Sequence, residues 1–136
     1  MRTAKNITTT DIGRFGEDAA SKYIQKHGFR ILERNFRSGH NEIDIIAENK
    51  NFVVFFEVKT RTANPLSNGY YGVPSTAVTY SKQRRTIEAA RAYLYMKDVK
   101  KQPRFDVIEV YLSKTPLSAN HVVEKIEHME SAFIAR

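Results

Sequence analysis

At 136 residues, with 41% hydrophobic and 27% charged side chains, the chain has the length and composition of one soluble domain that buries a core without cross-links. It contains no cysteine, which excludes disulfides, thiolate metal sites and cysteine nucleophiles and is compatible with a reducing cytoplasm. A net charge of +7 and a pI near 9.7 favour a polyanionic partner, whether DNA, RNA or an anionic lipid surface, without choosing among them.

No apolar segment follows the basic residues of Met1–Thr10, and no stretch nears about eighteen consecutive apolar residues. A cytoplasmic protein with neither export signal nor membrane span is therefore expected. Residues 1–10, polar and Thr-rich, read as a flexible segment, 11–130 as a single domain and 131–136 as a tail. Thr10 or Asp11 can cap a first helix, in which Ile12, Gly16, Ala19, Tyr23 and Ile24 recur at helical spacing up to a C-cap near Gly28. Phe29–Arg37 reads as a partly exposed strand.

Glu42–Glu48 alternates acid and aliphatic residues, and Asn51–Arg61 opens on Phe52-Val53-Val54-Phe55-Phe56; Asn49-Lys50 is the expected hairpin turn between them. Thr62–Val78, with two prolines, two glycines and the adjacent Tyr70 and Tyr71, reads as a long connection whose tyrosines could stack on a base. A helix over Ser81–Lys97 follows, then strands over Arg104–Leu112 and from His121 to about His128. The architecture expected is α/β: a mixed sheet of about five strands with the two helices packed against it, on opposite faces in one arrangement.

The second half of Asn51–Arg61 carries the chemistry. Its first half is apolar on both faces, as in a central strand covered on both sides, and Glu57, Lys59 and Arg61 then share one face. With a two-residue turn at Asn49-Lys50, Glu42 opposes Glu57 and Asp44 opposes Phe55, which sets Asp44 roughly 7 Å diagonally from Glu57. Glu42, Asp44, Glu57 and Lys59 then converge on one side. Several acids beside one lysine repel each other unless a cation intervenes, and an all-oxygen donor set suits Mg²⁺ or Mn²⁺ better than zinc. The four histidines have no zinc-ligand spacing and read as ordinary surface or interface residues. Lys82, Gln83, Arg84 and Arg85 open the second helix, where side chains and free N–H groups can hold phosphates, and Arg61 is a further phosphate candidate beside the acids. Arg104 and Asp106 read as a structural ion pair on one strand face.

Asp44 followed by Glu57-Val58-Lys59 on the next strand resembles the Asp…Glu-x-Lys signature of restriction-endonuclease-like nucleases. Further blocks, Gly13-Arg14-Phe15-Gly16-Glu17, Glu42-Ile43-Asp44-Ile45-Ile46, Phe56-Glu57-Val58-Lys59-Thr60-Arg61, Ala77-Val78-Thr79 with Lys82, and Arg104-Phe105-Asp106-Val107, resemble the YraN-type family of predicted endonucleases over roughly Gly13 to Val110. That family is similar in plan to archaeal Holliday-junction resolvases, whose extra first-helix glutamate is matched by Glu17. Where family members usually have Gly before the Glu-Ile-Asp block, this chain has Asn41, which tolerates a left-handed backbone better than most residues.

The resemblance implies a restriction-endonuclease-like fold and Mg²⁺- or Mn²⁺-dependent cleavage of phosphodiesters in DNA, with branched or junction DNA among the substrates. Asp44, Glu57 and the Val58 carbonyl would hold the ion, which would polarise the scissile phosphate and activate a water; Lys59 would position that water or stabilise the developing charge. Glu17 would reach the cluster directly or through water. Junction resolution would require a homodimer. The alternative is a non-catalytic nucleic-acid-binding module or adaptor in DNA processing that uses the same basic surface and keeps the acids for structure.

Overall fold

The computed structural model describes residues 9–64, 69–70, 79–114 and 121–135. The elements are α1 (Thr9–Lys26), β1 (Arg30–Ser38), β2 (Asn41–Glu48), β3 (Phe52–Asn64), β4 (Gly69–Tyr70), α2 (Tyr80–Lys97), β5 (Gln102–Lys114) and β6 (His121–Phe133). This is the expected α/β architecture. Five long strands form a mixed sheet in the order β1-β2-β3-β5-β6, with the two-residue β4 paired to β3 as a sixth. β3 and β5 are parallel and the other long pairs antiparallel. A parallel pair cannot be closed by a hairpin, so the connection that contains α2 makes the crossover.

The alternation of β3 divides the core in two. Val53 and Phe55 pack with Ile87, Ala90 and Tyr93 of α2, whereas Val54 and Phe56 pack with Ala20 and Ile24 of α1. Consecutive strand residues point to opposite faces, so the two helices cover opposite sides of the sheet, and β3 is apolar on both because both are buried. Phe55 and Phe56 are each 0% exposed, a burial worth about 1.5–3 kcal/mol per side chain.

α1 begins at Thr9, so the expected caps Thr10 and Asp11 lie inside its first turn. It ends before Gly28, whose φ of +87° suits glycine. α2 is capped by Thr79, whose side chain accepts the Lys82 N–H at 3.2 Å, and it closes on Asp98 in the left-handed region.

Three sequence expectations are corrected. The β2–β3 hairpin turns at Lys50-Asn51 and not at Asn49-Lys50, because Asn49 Oδ1 accepts the N–H groups of Asn51 and Phe52 at 3.0 and 2.8 Å, making Asn49 the last paired residue. The register runs Glu48↔Val53 to Ile45↔Phe56, shifted by two from the expected one. A two-residue shift keeps each side chain on its face, and one step further it sets Asp44, in place of Glu42, opposite Glu57. Second, residues 62–64 of the expected connection extend β3, and Gly69–Tyr70 pair back on Asn64 and Ala63; Tyr71 lies outside the described residues. Third, β6 runs to Phe133, which is buried and stacked on Phe105 with ring centroids 5.1 Å apart, so the expected tail contributes to the core.

Close contact between α1 and β3 is set by one glycine. A Cβ on Gly16 would lie 1.9 Å from Thr60 Oγ1, whereas one on Gly13 would meet nothing within 4 Å. Gly16→Ala is therefore expected to lower stability by about 1–3 kcal/mol, and Thr60→Ala in the same chain to restore part of the loss. Gly13→Ala should instead stabilise by about 0.5–1 kcal/mol through helix propensity. Thermal denaturation measures both, and a Gly16→Ala protein as stable as the parent would refute the close packing.

Candidate active site

Asp44 sits where β2 loses its alternation. Ile43 and Ile46 belong to the α2-side core and Ile45 and Ala47 to the α1-side core, so between Ile43 and Ile45 the strand turns over. On β1, Asn35 lies between the pairs Arg34↔Ile45 and Phe36↔Ile43 with φ +54°, a left-handed conformation that asparagine adopts at low strain. Past Ile45↔Phe56 the β2–β3 pairing is continued by a side chain: the Val58 N–H donates to Asp44 Oδ2 at 2.8 Å. The Asp44 carboxylate is thereby fixed against the Glu57-Val58-Lys59 segment.

The surroundings hold Asp44 in an unfavourable state. Burial pushes its pKa up to about 7; the Val58 amide opposes that shift, Glu17 and Glu57 add to it by repulsion, and Lys82 opposes it. Glu57 is half-buried, with Oε2 shielded from water and without a hydrogen-bond partner among the described residues. A buried carboxylate oxygen left in this way costs about 1–3 kcal/mol or more, and clustered acids of this kind are commonest at functional sites.

Of the residues expected at the site, Asp44, Glu57 and Lys59 are brought to one end of the β2–β3 pair, Glu17 approaches from α1, and Lys82 from the first turn of α2. Lys82 precedes the buried Thr86 by four residues, which puts it on the core-facing side of α2 beyond the packed interior. Glu17 also stands 3.7 Å from Arg34 Nη2. Glu42 is paired with Arg37 at 3.1 Å and leaves the cluster. Val58 meets Asp44 through its N–H; the N–H and C=O of one extended residue leave a strand on the same edge, so the carbonyl expected as a ligand lies on that edge too.

Arg61, expected as a phosphate contact beside the acids, is enclosed in the fold. Its side chain is 10% exposed, and Nε stands 3.7 Å from Oε2 of the fully buried Glu109, which also accepts the Tyr111 hydroxyl at 2.7 Å. Arg84 and Arg85 are exposed, and Gln83 and Arg84 line a groove with Ile87 and Ile134.

Sequence reading missed the Glu109 cluster, because an acid in Val-Ile-Glu-Val looks like an ordinary strand-surface residue. It also underrated His128, read as an ordinary surface or interface residue. Arg104 grips Asp106 with two hydrogen bonds of 2.9 and 2.8 Å, as expected, and His128 Nε2 and the Ser131 N–H complete the set at 2.7 and 3.0 Å. Burial works to raise the pKa of Asp106, but the bonds from His128, Arg104 and the Ser131 amide outweigh it and hold the carboxyl below its usual range.

Whether these residues fit a metal ion can be judged from their donors. Among the described residues no three His, Cys, Asp or Glu side chains stand close enough together to hold one ion. What fits is a pair of carboxylates, Asp44 and Glu57, with backbone and outer oxygens completing the shell, as Mg²⁺ accepts because it keeps several waters.

The model of the uncharacterised protein family UPF0102 matches residues 16–110. The chain belongs to this family. A UPF0102 protein of Caldanaerobacter subterraneus subsp. tengcongensis is 42% identical over 130 residues, covering 95% of this chain and 99% of the relative. One from Clostridium botulinum strain Loch Maree is 49% identical over 121 residues, covering 87% and 92%. The match spans the Asp44 and Glu57-Val58-Lys59 blocks and begins at Gly16, beside Glu17. A solved structure, that of Pyrococcus furiosus SfsA in complex with Ca²⁺, aligns with TM-score 0.48 and 16% identity over 84% of this chain and 63% of that one, less than two thirds of its length. That likeness is too distant to bear on the site. No described helix is long and apolar enough to cross a membrane.

The Asp44 environment has a measurable consequence. A carboxyl whose folded pKa is raised contributes full stability below its unfolded value near 4, and that contribution is lost as pH rises through about 7. The loss amounts to at most about 4 kcal/mol at 1.36 kcal/mol per unit. In metal-free buffer Asp44→Asn, which keeps an acceptor for the Val58 amide, should raise the melting temperature at pH 8 and leave it nearly unchanged at pH 4. A variant that melts lower than the parent at pH 8 would show that the ionised carboxylate is not strained.

Proposed function

We propose that the protein is a metal-dependent endonuclease of the restriction-endonuclease-like type that hydrolyses phosphodiesters in nucleic acid, with DNA, including branched or junction DNA, as the substrate class. The observation that carries this reading is the Asp44 carboxylate anchored on the Val58 amide beside the orphaned Glu57 oxygen. It is an electron-rich, partly desolvated pocket that a hard divalent cation would neutralise. The spacing Asp44…Glu57-x-Lys59, shared in type with nucleases of that class, supports it.

Asp44 and Glu57 would hold Mg²⁺ or Mn²⁺, with the Val58 carbonyl on the same strand edge. Bound there, the ion supplies a Lewis acid for the scissile phosphate and makes water a better nucleophile. The chain's own contribution is positional and electrostatic. The Val58 N–H fixes the orientation of Asp44, Lys59 follows Glu57 on the same face and donates to charge that builds up on phosphate oxygens, and Lys82 adds positive potential from α2. Glu17, drawn to Arg34 at 3.7 Å, orients water at the edge of the pocket. Cleavage at two strands of a junction would need two copies of the chain.

A nucleic-acid-binding module that does not cut is the second reading, favoured by the lack, among the described residues, of a three-ligand side-chain cluster. Incubation of junction, flap, single-stranded and duplex DNA with Mg²⁺ or Mn²⁺ separates the two. The nuclease should cut at least one substrate, lose the activity with EDTA, and fall by at least about a hundredfold in Asp44→Ala, Glu57→Ala and Lys59→Ala, in line with losses of one transition-state-stabilising group. Binding without cutting in the parent protein, with either metal, would leave the binding module as the function.

A further inference from the structure

Between α1 and β1 lies an open cleft of about 560 Å³, walled by Arg14, Glu17 and Asp18 on the helix and by Arg34 and Arg37 on the strand. Arg14, Glu17 and Asp18 fall three or four residues apart and so share one helix face. On the α2 face of the sheet a second, shallower depression of about 370 Å³ is lined by Asn41, Tyr80, Arg84, Arg85 and Glu88. The two lie on opposite faces of the sheet and flank the start of β2: Asn41 lines one and Glu42 the other, two residues ahead of Asp44.

Along this path Arg14, Arg34, Arg37, Arg84 and Arg85 stand against Glu17, Asp18, Glu42 and Glu88, a small positive excess whose pairing is uneven. Arg34 is paired with Asp18 at 2.9 Å and Arg37 with Glu42 at 3.1 Å. Arg14 at one end, and Arg84 and Arg85 at the other, are exposed and have no ion-pair partner among the described residues. Surface pairs such as Arg37–Glu42, with Arg37 78% exposed, contribute little to stability and yield readily to a stronger anion. Unpaired guanidinium groups that flank the start of β2 from both faces are suited to a linear polyanion crossing this end of the sheet, and planar forks suit phosphates in particular.

We propose that the α1–β1 cleft is half of a track for a sugar–phosphate backbone. The strand runs from the first turn of α2, over the start of β2 and past Asp44, into the cleft, where Arg14 and Arg37 contact its phosphates. The proposal deepens the nuclease reading by assigning the path of its substrate, and it rests on that reading for what the strand does at Asp44; the binding itself needs no metal.

Fluorescence anisotropy of labelled single-stranded and duplex DNA, titrated with the full chain in EDTA over a range of salt, tests the track without cleavage. Arg14→Gln and Arg37→Gln should each weaken binding by about three- to tenfold and reduce the slope of log K against log salt by about 0.7–0.9, the release expected of one phosphate contact. Arg84→Gln and Arg85→Gln should do the same, additively with the cleft variants. Lys100→Gln, at the other end of α2, should change affinity less than about twofold, as a screened charge away from the path does, and all variants should melt with the parent. Unchanged affinity and slope in the Arg14 and Arg37 variants, or no binding by the parent protein, would overturn the track, even with cleavage intact. Arginine-dependent binding without cleavage in Mg²⁺ or Mn²⁺ would uphold the track and overturn the nuclease.

Discussion

A single hydrogen bond, from the Val58 amide to Asp44 Oδ2, organises the end of the sheet that carries the candidate site. Strand pairing between β2 and β3 is regular up to Ile45↔Phe56, and there a side chain takes over from the backbone. Without that bond a half-buried strand amide would lack its ladder partner, and β2 would have no reason to turn over between Ile43 and Ile45. With it, the carboxylate is pinned in a desolvated place next to Glu57 and within the fields of Glu17 and Lys82. The left-handed Asn35 on β1 accommodates the same irregularity from the other side.

Two buried aspartates in one sheet show how partners decide the outcome. Asp106 is fully buried and yet stays ionised well into acid, because Arg104, His128 and the Ser131 amide all donate to it. Asp44 receives one amide and faces two acids, so desolvation wins and its pKa rises to about 7. The first is the arrangement of a structural ion pair, complete in itself. In the second, one amide does not offset burial and the repulsion of two acids. The same contrast separates Arg61, enclosed with Glu109, from the exposed Arg84 and Arg85.

The scaffold that carries this site is rigid where it needs to be. β3 is buried on both faces, α1 is held against it through Gly16 and Thr60, and the parallel β3–β5 pair extends the sheet behind Glu57 and Lys59 with Glu57↔Val107 and Lys59↔Glu109 in register. Charged groups at the end of such a strand keep their geometry because the apolar half cannot shift without opening two cores.

Much of this was legible in the residues themselves. The two-sided apolar run of Phe52–Phe56 fixed β3 as the central strand, helical spacing placed α1 and α2, and the Asp44…Glu57-x-Lys59 pattern singled out the acids, since periodicity and residue type are local properties of the chain. The turn register was misjudged by two residues, because whether Asn49 closes the turn or enters it depends on where its side chain finds donors. Burial of Arg61, the pairing of Glu42 with Arg37, the role of His128 and the placing of two arginine-lined depressions on either face of the sheet at the head of β2 belong to the tertiary structure alone. Each depends on which strand lies beside which, and on how far water is excluded there, and neither is encoded in the spacing of residues along one strand.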